Sequence, residues 1–568
     1  MLFWKKKSYK EKTFGGLSPD EVFLDSANIH GFSRERFEGV IERPIEKGVF
    51  FSFGALLFFV GLVFVGRVTW LDIVRGQELR LRSEGNYIET TLVEPPRGII
   101  FDRSGIPLVS NEASTTPDGK VVYMRVARHP FAFSHILGFV GEAGPDDNPK
   151  AGLKDTGKSG IERFYNNLLE GTPGKRDEEI DAQGNVISRG PLKAPRKGND
   201  IALTIDAGLQ EKLWETMDQV KNERGFLGGA GVMYSLTDGA VRALVSIPSF
   251  DINKIAGKLS HDEAAEIFQN TEAPLFNRTL SGKFAPGSIV KPFYSIAALE
   301  EGIISPDKQL FSSGSISIPD PYHPGQVSTF MDNKAHGFVD MRRAIAVSSN
   351  VYFYTIGGGF GDQNGLGIER LKRWLSRFRL DQKTGIDLAG EESGFLPDPE
   401  WKKNAHPQNP IWRIGDTYHA SIGQGDVLFN PLGVAEALSL LATDGEMVHL
   451  HLLKGEKKPR EKVLDIDPVY FSIVRDGMKR VVGPEGSGNA LSWFPEKIAA
   501  KTGTAEVGGK KDRINSWFMG YLPADNPKFA IVVMMEAGPR TNTIGSVFVV
   551  SQTLQWMLDH GGIDAFVN

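Results

Sequence analysis

The chain has 568 residues, 40% hydrophobic and 24% charged, and 65 Lys and Arg against 70 Asp and Glu leave a net charge of −5. That length predicts more than one domain with an ordinary core, and the charge balance leaves no basic footprint for a nucleic-acid partner. No cysteine is present, which excludes disulfides, thiol catalysis and cysteine-ligated zinc.

Residues 1–48 are polar, carry Lys5, Lys6, Lys7, Lys10 and Lys12, and read as a soluble tail. Residues 49–66 (VFFSFGALLFFVGLVFVG) hold no charge and are just long enough to span a bilayer. Arg67-Val68-Thr69-Trp70 follows without a small-x-small cleavage site. An uncleaved signal anchor is therefore expected, with the lipid bilayer as its partner. Arg34, Arg36, Arg43 and Lys47 before the span balance Arg67, Arg75, Arg80 and Arg82 after it, so only the distal lysines favour a cytoplasmic N-terminus.

Within residues 92–109 the pattern of strand, turn (Arg103-Ser104-Gly105) and strand predicts a hairpin. Residues 112–156 are rich in Pro, Gly and Asp, and residues 192–199 are a polar Pro/Gly/Lys stretch expected as a linker. The pattern changes at Asp200. Residues 201–205 predict a short strand, and residues 206–224 an amphipathic helix with Leu209, Leu213 and Met217 on one face. Residues 231–236 and 240–246 flank Thr237-Asp238-Gly239, a hairpin with an Asp-Gly turn. Residues 515–522 and 529–536 form another. Hairpins at both ends with helices between predict a mixed α/β (α+β) class, an antiparallel sheet packed by helices rather than a parallel doubly wound sheet.

Between the hairpins, Ala285-Pro286-Gly287-Ser288-Ile289-Val290-Lys291-Pro292 leads into an apolar helical run. Ser288 and Lys291 stand at i and i+3, so a helix puts hydroxyl and amine on one face. A nucleophile then lies beside a base, near a helix N-terminus that favours developing negative charge. A second Ser-x-x-Lys, Ser305 to Lys308, lies in a polar turn with no helix to align it. Downstream come Ser348-Ser349-Asn350 and Lys501-Thr502-Gly503-Thr504. Each has a look-alike: Ser26-Ala27-Asn28 and Ser487-Gly488-Asn489 for the first, Lys383-Thr384-Gly385 for the second. Only Lys501 follows a strand-like run and precedes a hairpin. His449 and His451 have no third partner in the sequence, so no metal is expected, nor any cofactor.

The order Ser-x-x-Lys, Ser-x-Asn, Lys-Thr-Gly resembles the penicilloyl-serine transferases, the penicillin-binding proteins and serine β-lactamases. Pro95-Pro96-Arg97-Gly98-Ile99-Ile100-Phe101-Asp102-Arg103-Ser104-Gly105 and Gly157-Lys158-Ser159-Gly160-Ile161-Glu162-Arg163 resemble the pedestal domain of class B penicillin-binding proteins. Asn277-Arg278-Thr279, the run from Thr384 to Glu391, and Trp517-Phe518-Met519-Gly520-Tyr521 extend the likeness. Gly415-Asp416-Thr417 followed by Ile422-Gly423-Gln424-Gly425 is most similar to elongation-type members.

The resemblance implies a tail (1–48), a transmembrane anchor (49–66), a β-rich pedestal with a shortened head (67–196) and a transpeptidase domain (197–568) outside the cytoplasm. It implies a peptidoglycan D,D-transpeptidase, acylated at Ser288 by stem peptides and by β-lactams as inhibitors. Lys291 would be the base, neutral through burial and the nearby charge of Lys501. Ser348 would pass a proton to the leaving amine, and Asn350 would hold a substrate amide. Lys501, Thr502, Gly503 and Thr504 would bind the terminal carboxylate. The backbone N–H groups of Ser288 and Thr504 would form the oxyanion hole. A separate SEDS-type membrane glycosyltransferase is the implied polymerase partner. The alternatives are a division-type class B homologue, a β-lactamase or antibiotic sensor, and a non-catalytic scaffold.

Overall fold

The computed structural model describes residues 47–85, 88–116, 121–145, 147, 153–180, 186–257, 260–320, 325–456, 458–509 and 512–567. The tail expected at 1–48 lies outside the described residues as far as residue 46. The described residues fall into two compact units whose boundary in the chain lies between Glu89 and Thr90.

In the first unit, Lys47–Gly85 is one helix of 39 residues. Its stretch Gly48–Glu78 is long and apolar enough to cross a membrane. The helix outruns the expected span because residues 67–84 contain no proline and are rich in Leu, Arg, Gln and Glu, all good helix formers. Apolar side chains point outward along it, with Phe51 81% and Phe58 71% exposed.

The second unit begins with the pedestal. Its hairpin pairs Ile100–Phe101 with Pro107–Thr115, and the Asp102 carboxylate accepts from Ser104 N and Ile106 N, both at 2.8 Å, to close the turn. The hairpin predicted over 92–109 is thus shorter at its start. Arg97 donates to Glu162 Oε2 at 2.8 Å, which joins the two pedestal segments distant in sequence. The stretch 192–199 is not a free linker. Leu192 and Lys193 finish the strand Val186–Lys193, Arg196 N donates to Thr172 O (2.9 Å), and Gly198 N donates to Pro96 O (3.0 Å). The strand predicted at 201–205 shrinks to Ile201–Ala202, parallel to Ile100–Phe101.

Asp206 caps the helix Ala207–Arg224 by accepting from Leu209 N. Beyond it lies a five-stranded sheet, ordered Val241–Ile247, Gly228–Ser235, Phe529–Pro539, Arg513–Leu522, Ala499–Val507, with every neighbour antiparallel. The Asp238-Gly239 hairpin forms as predicted, and Asp238 Oδ1 accepts from Ala240 N. Helices cover both faces, so strands such as Gly228–Ser235 are buried at every residue. The helix Ala207–Arg224 packs with Ser546–Asp559 on one face, where Leu213 and Met217 lie against Gly231. On the other face, Tyr234 donates its hydroxyl to Ala435 O in the helix Pro431–Ala442. The strand Ala499–Val507 is the sheet's edge.

The segments before and after residue 200 are stitched by side chains. Asn253 exchanges two hydrogen bonds with the Ala127 backbone (2.8 and 2.9 Å), and Tyr165 donates to Asp387 Oδ2 at 2.8 Å.

Candidate active site

Backbone contacts set the serine turn. Gly287 adopts φ +56°, and a Cβ there would lie 2.5 Å from Thr504 O, so glycine alone lets the turn press on the edge strand. The strand answers with Gly503, whose Cβ would lie 2.7 Å from Pro286 O. Gly287 N donates to Gly423 O, and Trp517 Nε1 to Ala285 O, both at 2.9 Å. One tight turn, Gly287–Val290, then feeds the helix Lys291–Glu300, with Pro292 in the first turn where its missing N–H costs nothing. That helix is buried from Lys291 to Leu299, and Ser288 is half-buried at its open end.

The second motif is a corner between two helices. Met341–Val347 ends at Ser348, which takes a left-handed φ of +58°, and Ser349 caps Asn350–Gly358 by accepting from Tyr352 N. The corner brings Ser348 and Asn350 to Lys291. Lys291 Nζ donates to Ser348 O (2.7 Å), Ser348 Oγ (3.3 Å) and Asn350 Oδ1 (2.8 Å). From the edge strand, Lys501 Nζ donates to Ser348 Oγ (2.9 Å) and Thr502 O (2.8 Å). Thr502 and Thr504 share one face of that strand by its period of two, and Thr504 is exposed.

The structure thus gathers Lys291, Ser348, Asn350 and Lys501 into one hydrogen-bonded cluster, beside the turn that carries Ser288. Among the described residues no hydrogen bond joins Ser288 Oγ to Lys291 Nζ. Three acceptors already occupy the Lys291 amine, which is the geometry of its ammonium form.

Both lysine side chains are fully buried. Burial lowers Lys291 to about 7, with the Asp332 carboxylate pulling the other way. Burial, and after it the charge on Lys291, push Lys501 well below the usual lysine range. Burial therefore works against the charged form of both lysines, Lys501 included, and the Asp332 charge offsets it at Lys291. That carboxylate lies outside the three motifs, so their order in the sequence could not place it.

Two of the look-alike motifs are engaged elsewhere, and Ser26-Ala27-Asn28 lies outside the described residues. Lys308 Nζ donates to Gln363 Oε1 at 2.8 Å on an exposed surface. Thr384 and Gly385 wrap the buried Glu391 carboxylate, which accepts from both backbone N–H groups (2.7 and 2.9 Å). Ser487 is different: its Oγ lies 2.5 Å from Thr502 Oγ1, so this look-alike lies against the site. Asp332 was also missed. It sits in a polar Met331-Asp332-Asn333-Lys334 stretch that reads as an ordinary turn, and only tertiary pairing distinguishes it.

Residues 229–548 match the family model of the penicillin binding protein transpeptidase domain, and residues 120–203 match that of the penicillin-binding protein dimerisation domain. The chain is similar to the peptidoglycan D,D-transpeptidase MrdA of Acinetobacter baumannii, at 29% identity over 88% of this chain and 86% of the relative. It resembles the crystal structure of Pseudomonas aeruginosa PBP2 in complex with WCK 5153, at 31% identity and a TM-score of 0.69, covering 84% of this chain and 98% of that one. It also resembles a chain of a peptidoglycan synthase complex that coordinates polymerization and crosslinking, at 27% identity and a TM-score of 0.67, covering 89% of this chain and 96% of that one.

Proposed function

The chain belongs to the penicillin-binding protein transpeptidases and is a peptidoglycan D,D-transpeptidase of the elongation type; on that premise we propose that Ser288 is its acylated nucleophile. The observation that carries this reading is the cluster in which buried Lys291 and Lys501 meet the half-buried Ser348 and Asn350 behind the Ser288 turn.

Thr502, Thr504 and Lys501 take the terminal carboxylate of a donor stem peptide. That negative charge raises the proton affinity of Lys501, so the Lys291 proton passes through Ser348 Oγ to Lys501, which becomes charged as Lys291 becomes neutral. Neutral Lys291 has a lone pair to turn toward Ser288. Ser288 Oγ attacks the penultimate D-Ala carbonyl and its proton passes to Lys291. The oxyanion lies against the backbone N–H groups of Ser288 and Thr504, a pairing that the close approach of Gly287 to Thr504 supports. The C–N bond breaks, the departing D-Ala amine takes its proton through Ser348 Oγ, and the acyl-enzyme remains. The amine of a second stem peptide attacks that ester, loses a proton back along the same path and frees Ser288.

The domain limits 67–196 and 197–568, the cytoplasmic N-terminus and the placement of catalysis outside the inner membrane belong to the same reading, as does a SEDS-type glycosyltransferase partner in wall synthesis. Fluorescent penicillin should label the wild-type protein and Ser305→Ala but not Ser288→Ala. Labelling of Ser288→Ala would overturn the assignment of the nucleophile.

A further inference from the structure

Asp332 lies in none of the three motifs, yet its carboxylate is the most heavily bonded group near the site. Its side chain is 0% exposed, and a buried carboxylate persists only when its oxygens are paired. Oδ1 accepts from Asn350 N (2.8 Å) and Asn333 N (2.9 Å). Oδ2 accepts from Ser349 Oγ (2.7 Å), Val351 N (3.0 Å) and Ser312 Oγ (3.1 Å). Three of these donors belong to consecutive residues, 349 to 351. Two are the first N–H groups of the helix Asn350–Gly358, where the helix dipole favours an anion. The same corner holds Ser348 in its left-handed conformation, which a non-glycine residue keeps only when its surroundings fix it. Among the described residues, Asp332 is the one carboxylate whose charge reaches Lys291.

We infer that Asp332 is a positioning residue of the acylation site: its carboxylate pins residues 349–351 so that Ser348 and Asn350 meet the Lys291 amine, and it is that amine's counter-charge. The inference rests on the Ser288 reading above. Asp332 touches no substrate and acts through the corner and through Lys291. The ionisable groups that face it are Lys501, His336 and Tyr354; the Lys334 and Arg343 charges act on His336, and the Glu506 charge on Tyr354. Lys501 lies beyond Ser348. His336 stands 3.8 Å from Oδ1 and is lowered by burial. The Tyr354 phenol is raised by burial and by Asp332 itself.

The test uses the full-length protein in detergent and follows the acylation rate with fluorescent penicillin from about pH 5 to about pH 9. A Ser288→Ala blank tests the nucleophile separately, so a failure of that reading shows as labelling in the blank. Asp332→Asn should slow acylation by about a hundredfold, the scale of a misplaced catalytic group. Its rising limb should also move to lower pH, because the Lys291 ammonium has lost its counter-charge. Ser349→Ala removes one donor and leaves the charge. It should slow acylation by about tenfold with the limb in the wild-type place. A wild-type rate in Asp332→Asn, or a slowed rate with an unmoved or raised limb, overturns the inference. If Asp332→Asn does not fold, Ser349→Ala and Ser312→Ala decide: wild-type rates in both overturn it, and slowed rates with unmoved limbs support it.

Discussion

Two buried amines share the Ser348 hydroxyl, Lys291 Nζ at 3.3 Å and Lys501 Nζ at 2.9 Å. Their protons come off as a pair, so a change at one lysine is read at the other. Acylation needs the Lys291 lone pair. Its rate should therefore climb as pH rises through about 7 and level off above, because the base is the deprotonated form. Lys291→Arg keeps its proton throughout the accessible range and should show no acylation at any pH in a stopped-flow penicillin assay. Lys501→Ala separates two limbs. At low penicillin the rate reports the free enzyme, where burial already disfavours the charge on Lys501, and that limb should stay near the wild-type pH. At saturation the rate reports the complex, where the bound carboxylate now lacks its partner charge, and that limb should move to higher pH. If both limbs stay together in Lys501→Ala, the proton does not shift between the lysines on binding.

At the scale of elements, the site is a contact between a tight turn and an edge strand. Gly503→Ala would place a methyl 2.7 Å from Pro286 O and 2.9 Å from Ile289 Cγ2. It should push the strand off the serine turn and slow acylation by about a hundredfold, with circular dichroism unchanged. Behind the strand, Ser487 N donates to Ala346 O at 3.2 Å, and the Ser487 hydroxyl meets Thr502. Ser487→Ala should weaken capture of carboxylate substrates by about fivefold, the worth of one hydrogen bond, without slowing the acylation step at saturation. A rate loss at saturation would instead place Ser487 in the chemistry. These elements also show what a sequence discloses. The Asp238-Gly239 turn and the Leu209, Leu213 and Met217 face of the helix are local signals, and each was legible. So was the grouping of Lys291, Ser348, Asn350 and Lys501, because their motifs have fixed order and spacing. Asp332 and Ser487 were not. Their roles come from pairings that close only in three dimensions, with Lys291 41 residues before Asp332 and Thr502 15 residues after Ser487.

At the scale of the whole molecule, the apolar helix and the catalytic unit have opposite solvent requirements. Along Lys47–Gly85 the side chains of Phe50, Phe53, Phe59 and Phe64 are all more than half exposed, at 66%, 62%, 69% and 67%. Such a surface is stable in lipid and a liability in water. Residues 90–568 hold the pedestal, the five-stranded sheet and every candidate site residue as one compact unit. Removing residues 1–66 deletes the uncharged run but leaves Trp70, Ile73 and Val74 exposed at 42%, 77% and 63%. Removing residues 1–87 deletes those as well. Both truncated proteins should acylate with penicillin within about twofold of the full chain, since the unit that carries the site is intact. The longer truncation should be monomeric in size-exclusion chromatography without detergent, and the shorter one should self-associate through its remaining apolar face. Loss of acylation in both, with folding checked by thermal melting, would show that the catalytic unit depends on the helix and that the boundary is drawn in the wrong place.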